Sequence, residues 1–254
     1  MRSVIIRKRT IKRSFAVLIA LVVGIAVISV ACKEDEDISS GTSSLPENPI
    51  SNGTVTEPET KKQIPKEDLW TLKLVNYQNP IDEASVNAVK RAEINGYYVD
   101  ERIIEDLKAM ISAAKEDGIK LAIGSAYRTV AKQKQIIKDD VARYMSQGMT
   151  EEQAYVRTYS DTAKPGQSEH HLGLAVDFIG TNANYTSAYK NTEPGIWLKD
   201  NAYKFGFILR YPEGKADITK IVFEPWHFRY AGKYAREIKD SGLCLEEYLE
   251  ANFE

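Results

Sequence analysis

What limits the fold of this 254-residue chain most is how it begins. Arg2, Arg7, Lys8, Arg9, Lys12 and Arg13 precede an apolar stretch from Phe15 to Ala31, and the charged run Lys33-Glu34-Asp35-Glu36-Asp37 follows it. That is the charge order of an export signal. The stretch is slightly long for a cleaved signal and slightly short for a comfortable membrane span, so length alone does not separate the two. Residues 33–65 are rich in Ser, Thr, Pro, Asn, Glu and Lys, with hardly any large apolar side chain. They cannot bury enough surface to offset the entropy of ordering, which predicts a flexible tether with a root-mean-square reach on the order of 30 Å. Folding is thereby confined to residues 66–254, roughly 190 residues and enough for one domain with its own core.

Formal charge is only −2, and beyond the N-terminus basic and acidic residues are mixed. No basic face for nucleic acid is expected. Cys32 and Cys244 are too few for a disulfide framework. Cys244 lies between Leu243 and Leu245 in a helical stretch, which predicts a buried thiol in packing.

Within the folded part, Leu72–Val75 reads as a short strand, and Asp100 as the cap of a helix carrying Ile103, Leu107, Met110, Ile111 and Ala114 on one face. Leu121–Ser125 follows as a strand after the Asp117-Gly118 turn. A second helix carries Ile137, Val141, Tyr144 and Met145, and Thr150 with Gln153 forms the capping box of a third. Leu174, Val176 and Phe178 alternate as in a strand, and a helix around Ile196–Phe205 stops at Gly206. Phe207–Arg210 and Ile221–Phe223 read as strands, and Ala231–Lys239 and Leu245–Leu249 as closing helices. Helices grouped early and late around short, antiparallel strands predict an α+β domain without βαβ alternation or repeats.

The chain has three histidines, and all fall in two short segments: Ser168-Glu169-His170-His171-Leu172-Gly173-Leu174-Ala175-Val176-Asp177 and Glu224-Pro225-Trp226-His227. Imidazole and carboxylate suit zinc, and a catalytic zinc takes three protein ligands with a fourth position for water. Seven residues of straight strand would hold His170 roughly 23 Å from Asp177, so two ligands of one ion require a bend between them. Gly173 is the residue best able to bend there, and the small Ala175 leaves room beside a metal. Glu224 and His227, three apart, can face one point from a helical turn or an irregular strand edge. The residues alone do not say which of His170 and His171 holds the ion.

Together the segments match S-x-H-x-x-G-x-A-x-D followed by E-x-W-H. The pair resembles the VanY-type D-alanyl-D-alanine carboxypeptidases and their L,D-carboxypeptidase relatives. The likeness spans about residues 68–240, with Leu74-Val75-Asn76, Ser125-Ala126-Tyr127-Arg128-Thr129, Gln133 and Arg210-Tyr211-Pro212. It implies zinc held by His170, Asp177 and His227, and Glu224 as catalytic base. It also implies Arg128 on the substrate's terminal carboxylate, with Ser168, Gln133 and Tyr127 in the substrate site. The fold implied is a small antiparallel sheet with flanking helices, shared with peptidoglycan metallopeptidases and the hedgehog domain. The substrate implied is the peptidoglycan stem peptide, and a monomer is expected. Lys220 departs from the family, which often carries Gly after the threonine matched by Thr219. Ser29-Val30-Ala31-Cys32 resembles the lipobox of bacterial lipoproteins, with Ser29 where Leu, Val or Ile is preferred. The expected location is the outer face of the cell membrane, through lipidated Cys32 or an uncleaved N-terminal helix.

By this reading zinc polarises the scissile carbonyl and acidifies a water, Glu224 carries the proton, and the Arg128 fork selects free chain ends. Two alternatives accompany it. One is an L,D-carboxypeptidase acting on tetrapeptide stems; the other is a zinc-binding recognition module without activity, which would have no need of Glu224.

Overall fold

The computed structural model describes residues 61–180 and 185–254, all within one unit, Thr56–Glu254. The expected export signal, Cys32 and the expected tether up to residue 60 lie outside the described residues. No helix among the described residues is long and apolar enough to cross a membrane. The chain is already paired before residue 66. Lys62 bridges Phe253, its amide donating to the Asn252 carbonyl at 3.0 Å, and Ile64 packs on apolar side chains of the C-terminal helices.

A short helix α1 (Glu83–Asn87), capped by the Asp82 carboxylate on the Ser85 amide, leads into the hairpin β1 (Arg91–Ile94) and β2 (Tyr97–Asp100). Asn95 and Gly96 make its two-residue turn at φ 53° and 84°, an Asn-Gly signal for a primed turn that the pattern reading above passes over. Asp100 then accepts from the Arg102 amide and starts a 3₁₀ turn that runs into α2 (Ile104–Glu116). Ile103, Leu107, Met110 and Ala114 are fully buried at helical spacing. Burial of a Leu or Met side chain contributes about 1.5–3 kcal/mol, which fixes this face against the sheet. The next helices are α3 (Val130–Ser146), capped by Thr129, and α4 (Glu151–Tyr159), opened by the Thr150–Gln153 capping box. They pack through Ile137, Val141, Tyr144 and Ala154, while Met145, placed on that face by its sequence, is 44% exposed.

The main sheet has four antiparallel strands in the order β3 (Ala122–Ser125), β4 (Ala175–Ile179), β6 (His227–Tyr230) and β5 (Phe207–Leu209). The fold is α+β. Val176, Phe178 and Phe228 belong to one apolar core with Leu107 and Met110. The alternate residues Ala175, Asp177, His227, Arg229 and Ile208 lie on the opposite face. That face is also buried, Ile208 by side chains of the C-terminal helices, so Ala175 and Asp177 do not meet solvent as simple alternation would suggest. The helix α5 (Glu193–Asn201) ends through a 3₁₀ turn at Gly206, with φ 80°, and a short helix α6 (Ala216–Thr219) follows β5. The helices α7 (Ala235–Ser241) and α8 (Leu245–Asn252) pack Ala235, Ile238, Leu245 and Tyr248 around Ile208. Cys244 is buried at the start of α8, where burial raises its thiol to about 11.

Two expected strands are absent. Leu72–Val75 pairs with no strand, its Lys73 carbonyl taken by the Arg229 guanidinium at 2.8 Å. Ile221–Phe223 makes one strand-like bond, Val222 amide to Ser160 carbonyl. Pro225 lacks a donor, and pairing starts only beyond it, at β6.

Candidate metal centre and active site

Register brings the ligand candidates together. Asp177 on β4 lies opposite His227 on β6 and opposite Ser125 on β3, so these three form one row across the sheet. His170 arrives from a 3₁₀ turn, Glu169–Leu172, that reverses through Gly173 in the left-handed region at φ 69°. This is the bend the motif needs. A Cβ on Gly173 would stand 2.7 Å from the Asp100 amide nitrogen, so the position is closed to other residues by space as well as by φ. Ala175 lies opposite Arg229, one step along the same face.

One ligand atom from each of His170, Asp177 and His227 lies within 4.8 Å of the other two, and all three residues are buried. His170 Nε2 is 3.2 Å from Asp177 Oδ2, and His227 Nδ1 is 2.9 Å from Asp177 Oδ1. Asp177 Oδ1 nevertheless has no aligned hydrogen bond, as expected of an atom directed at an ion. His170 Nδ1 faces the Ala126 carbonyl at 2.6 Å, which leaves Nε2 as the lone pair. Two imidazoles and a carboxylate fit zinc with a fourth position open to water.

His171 is committed elsewhere. Its Nε2 accepts from the Gly166 amide at 3.2 Å, so its Nδ1 carries the proton and donates to the Arg128 carbonyl at 2.7 Å. The two histidines occupy consecutive positions of a 3₁₀ turn and diverge there.

Burial shapes the electrostatics. It pushes His170 down to about 4, with Arg128 acting the same way against Asp177. It also works to lower His227, but the Asp177 and Glu169 carboxylates prevail and raise that imidazole to about 9. For Asp177 burial is outweighed by His170 and Arg128, which hold the carboxyl well below its usual range. Glu224, on the turn that precedes β6, has one oxygen 3.5 Å from His227 Nδ1. Burial pushes it up to about 8, with Asp177 adding and His227 opposing. A bound cation would draw it back down, which suits a group that must take and release a proton near neutrality.

The cluster opens into a cavity of about 740 Å³, to which Arg128, Gln133, Ser168, Glu224, Tyr185 and Tyr211 contribute. Arg128 donates to Asp177 Oδ2 at 2.6 Å and to Ser125 Oγ at 2.7 Å, and its Nη1 reaches Gln133 Oε1 at 3.5 Å. Tyr127, placed in the substrate site by the family likeness, is not among the residues lining this cavity. Its hydroxyl donates to the Val86 carbonyl and its ring lies under Arg91. Trp226 is core and cavity wall at once, edge-on to Tyr185 at 5.7 Å. Tyr185 and Tyr211 were not singled out from sequence. Tyr211, whose ring is 4.9 Å from that of His227, stands in the quoted Arg210-Tyr211-Pro212.

A family model for VanY, D-alanyl-D-alanine carboxypeptidase, matches residues 96–233. The chain belongs to the VanY family. A D-alanyl-D-alanine carboxypeptidase of Enterococcus faecalis (strain ATCC 700802 / V583) is 42% identical over 211 residues, covering 83% of this chain and 75% of that protein. Among solved structures, a variant of the vancomycin-resistance D,D-pentapeptidase VanY in complex with Zn(II) is 43% identical. It superposes with a TM-score of 0.64 over 71% of this chain and 99% of its own. The LD-carboxypeptidase LdcB is 35% identical, with a TM-score of 0.59 over 71% of this chain and 86% of its own. Lys220, the departure from the family's Gly, sits at φ 60° as the C-cap of α6. A left-handed position explains why Gly would be common there.

Proposed function

We propose that this VanY-family zinc carboxypeptidase removes the C-terminal D-alanine from peptidoglycan stem peptides. The observation that carries the proposal is the His170–Asp177–His227 cluster sharing one cavity with Glu224 and Arg128. Zinc held by His170 Nε2, Asp177 and His227 Nδ1 would supply Lewis acidity for the scissile carbonyl and for a water. Glu224 takes the proton of that water and passes it to the leaving amine. The Arg128 guanidinium, with five donors and fixed by Ser125 and Asp177, keeps the remainder for the substrate's terminal carboxylate. Ser168 and Gln133 stand beside it in the same wall. A chain end is thereby selected, and the reaction is that of an exopeptidase.

The test is product analysis by mass spectrometry on a pentapeptide stem ending in D-alanyl-D-alanine, on its C-terminally amidated form, and on a tetrapeptide stem. The expected result is loss of one D-alanine from the free pentapeptide and none from the amide. Equal cleavage of both would remove Arg128 as the carboxylate anchor. The likeness to LdcB supports a second reading, L,D-carboxypeptidase action. Preferential cleavage of the tetrapeptide would select it.

The charge order around Phe15–Ala31 and the lipobox-like Ser29–Cys32 support tethering to the outer face of the cell membrane. If Cys32 carries the lipid, Cys32→Ser moves the full chain out of the membrane fraction. An unchanged membrane fraction favours the uncleaved helix.

A further inference from the structure

Six buried side-chain atoms among the described residues lack a hydrogen-bond partner, and four of them meet in one place: Asp177 Oδ1, His227 Nε2, Glu169 Oε2 and Arg229 Nε. A metal held by His170, Asp177 and His227 would account for the first. The other three point at one another. His227 Nε2 stands 3.9 Å from Glu169 Oε2, and Arg229 Nε stands 3.5 Å from the same oxygen, too far for hydrogen bonds but without any other partner. Glu169 is fully buried, as are Arg210 and Arg229.

The other carboxylate oxygen is fixed. Glu169 Oε1 accepts from Arg210 Nε at 2.8 Å, while the far side of that guanidinium forks onto Glu246 of α8 at 2.6 and 2.8 Å. Asn76 donates to the same Glu246 at 3.1 Å. Arg229 is held through its other nitrogens by the Lys73 and Tyr230 carbonyls. An ionised carboxylate with no solvent is tolerable only beside such cations.

We propose that Glu169 is a positioning residue for the metal centre, its Oε2 accepting the Nε2–H of His227 so that Nδ1 is the nitrogen turned to zinc. A metal-bound histidine generally donates its other ring nitrogen to a carboxylate or carbonyl, which sets the tautomer and raises ligand basicity. His170 has the Ala126 carbonyl for this purpose. For His227, whose Nε2 has no hydrogen-bond partner, the Glu169 carboxylate stands nearby at 3.9 Å. The Arg210–Glu246 fork ties the other side of the Arg210 guanidinium to α8.

The inference rests on the zinc-ligand reading given above, and the measurement separates the two. Zinc dissociation constants are determined by chelator competition for the parent, Glu169→Gln and Glu246→Gln, alongside thermal melts of each protein stripped of metal. Glu169→Gln is expected to bind zinc 10- to 100-fold more weakly while the stripped protein keeps its fold. Glu246→Gln is expected to melt earlier with zinc affinity within about threefold of the parent. Glu169→Gln binding zinc as tightly as the parent overturns the role. A parent that binds no zinc fails the ligand assignment instead. If Glu169→Gln does not fold, ¹⁵N correlation spectra of the zinc-loaded parent decide: a protonated His227 Nε2 with Nδ1 on the metal supports the role, and zinc on Nε2 overturns it.

Discussion

Adjacent histidines with opposite duties show how much a single backbone turn decides. His170 faces the ligand cluster, while both nitrogens of His171 are spent on the Gly166 amide and the Arg128 carbonyl. His170→Ala should therefore lose zinc and activity together. His171→Ala should keep its zinc but melt earlier, since it leaves a buried donor and acceptor unmatched at about 1–3 kcal/mol. Zinc content and melting temperature of the two variants check this, and loss of zinc from His171→Ala alone would reverse the assignment. Glu224→Gln, of similar shape but unable to take a proton, should hold zinc and turn over no substrate. Zinc loss in that variant would make Glu224 a ligand. The polar types of the centre were legible in sequence because so few histidines exist and they lie within motifs. Tyr127, given its role by likeness alone, has its hydroxyl bonded to the Val86 carbonyl and does not line the cavity.

At the scale of elements, the bend at Gly173 could be anticipated from ligand distance alone, and the structure supplies it as a left-handed residue closing a 3₁₀ turn. Gly173→Ala meets both the left-handed penalty, about 1–2 kcal/mol, and the Asp100 backbone 2.7 Å from the new Cβ. It should lower stability by more than that penalty and weaken zinc binding, because the turn delivers His170. Lys220 runs the other way. At φ 60° it bears the cost Gly would avoid, partly offset by its bond to the Asp217 carbonyl. Lys220→Gly should raise stability by up to about 1 kcal/mol without altering kcat. A fall in melting temperature would mean that the bond outweighs the backbone strain. Helices α2, α3 and α4 were readable because caps and apolar spacing agree. Leu72–Val75 and Ile221–Phe223 have the apolar content of strands but no partner strand to pair with, so they are not strands. The β1–β2 hairpin was signalled by Asn95-Gly96 and overlooked beside stronger periodicities.

For the whole molecule, the question is whether zinc holds the fold or only completes the site. Its ligands come from a turn, β4 and β6, elements already joined by antiparallel pairing of β4 with β6 and by the Arg128 amide bond to the His170 carbonyl. The core of Leu107, Met110, Phe178, Phe207 and Phe228 is built without contribution from the ligands. Without the cation, His227, raised to about 9, stands protonated against Asp177 at neutral pH, so the ligands retain a compensating charge. Chelation should thus abolish carboxypeptidase activity but leave the protein folded by far-ultraviolet circular dichroism. Zinc at 100 times its dissociation constant adds about 2.7 kcal/mol to the native state, so the stripped protein should melt roughly 5 to 10 °C lower. Re-addition of zinc should restore both activity and melting temperature. Full activity after verified metal removal would defeat the mechanism, and unfolding on chelation would show that the ion, not the apolar core, holds β4 against β6.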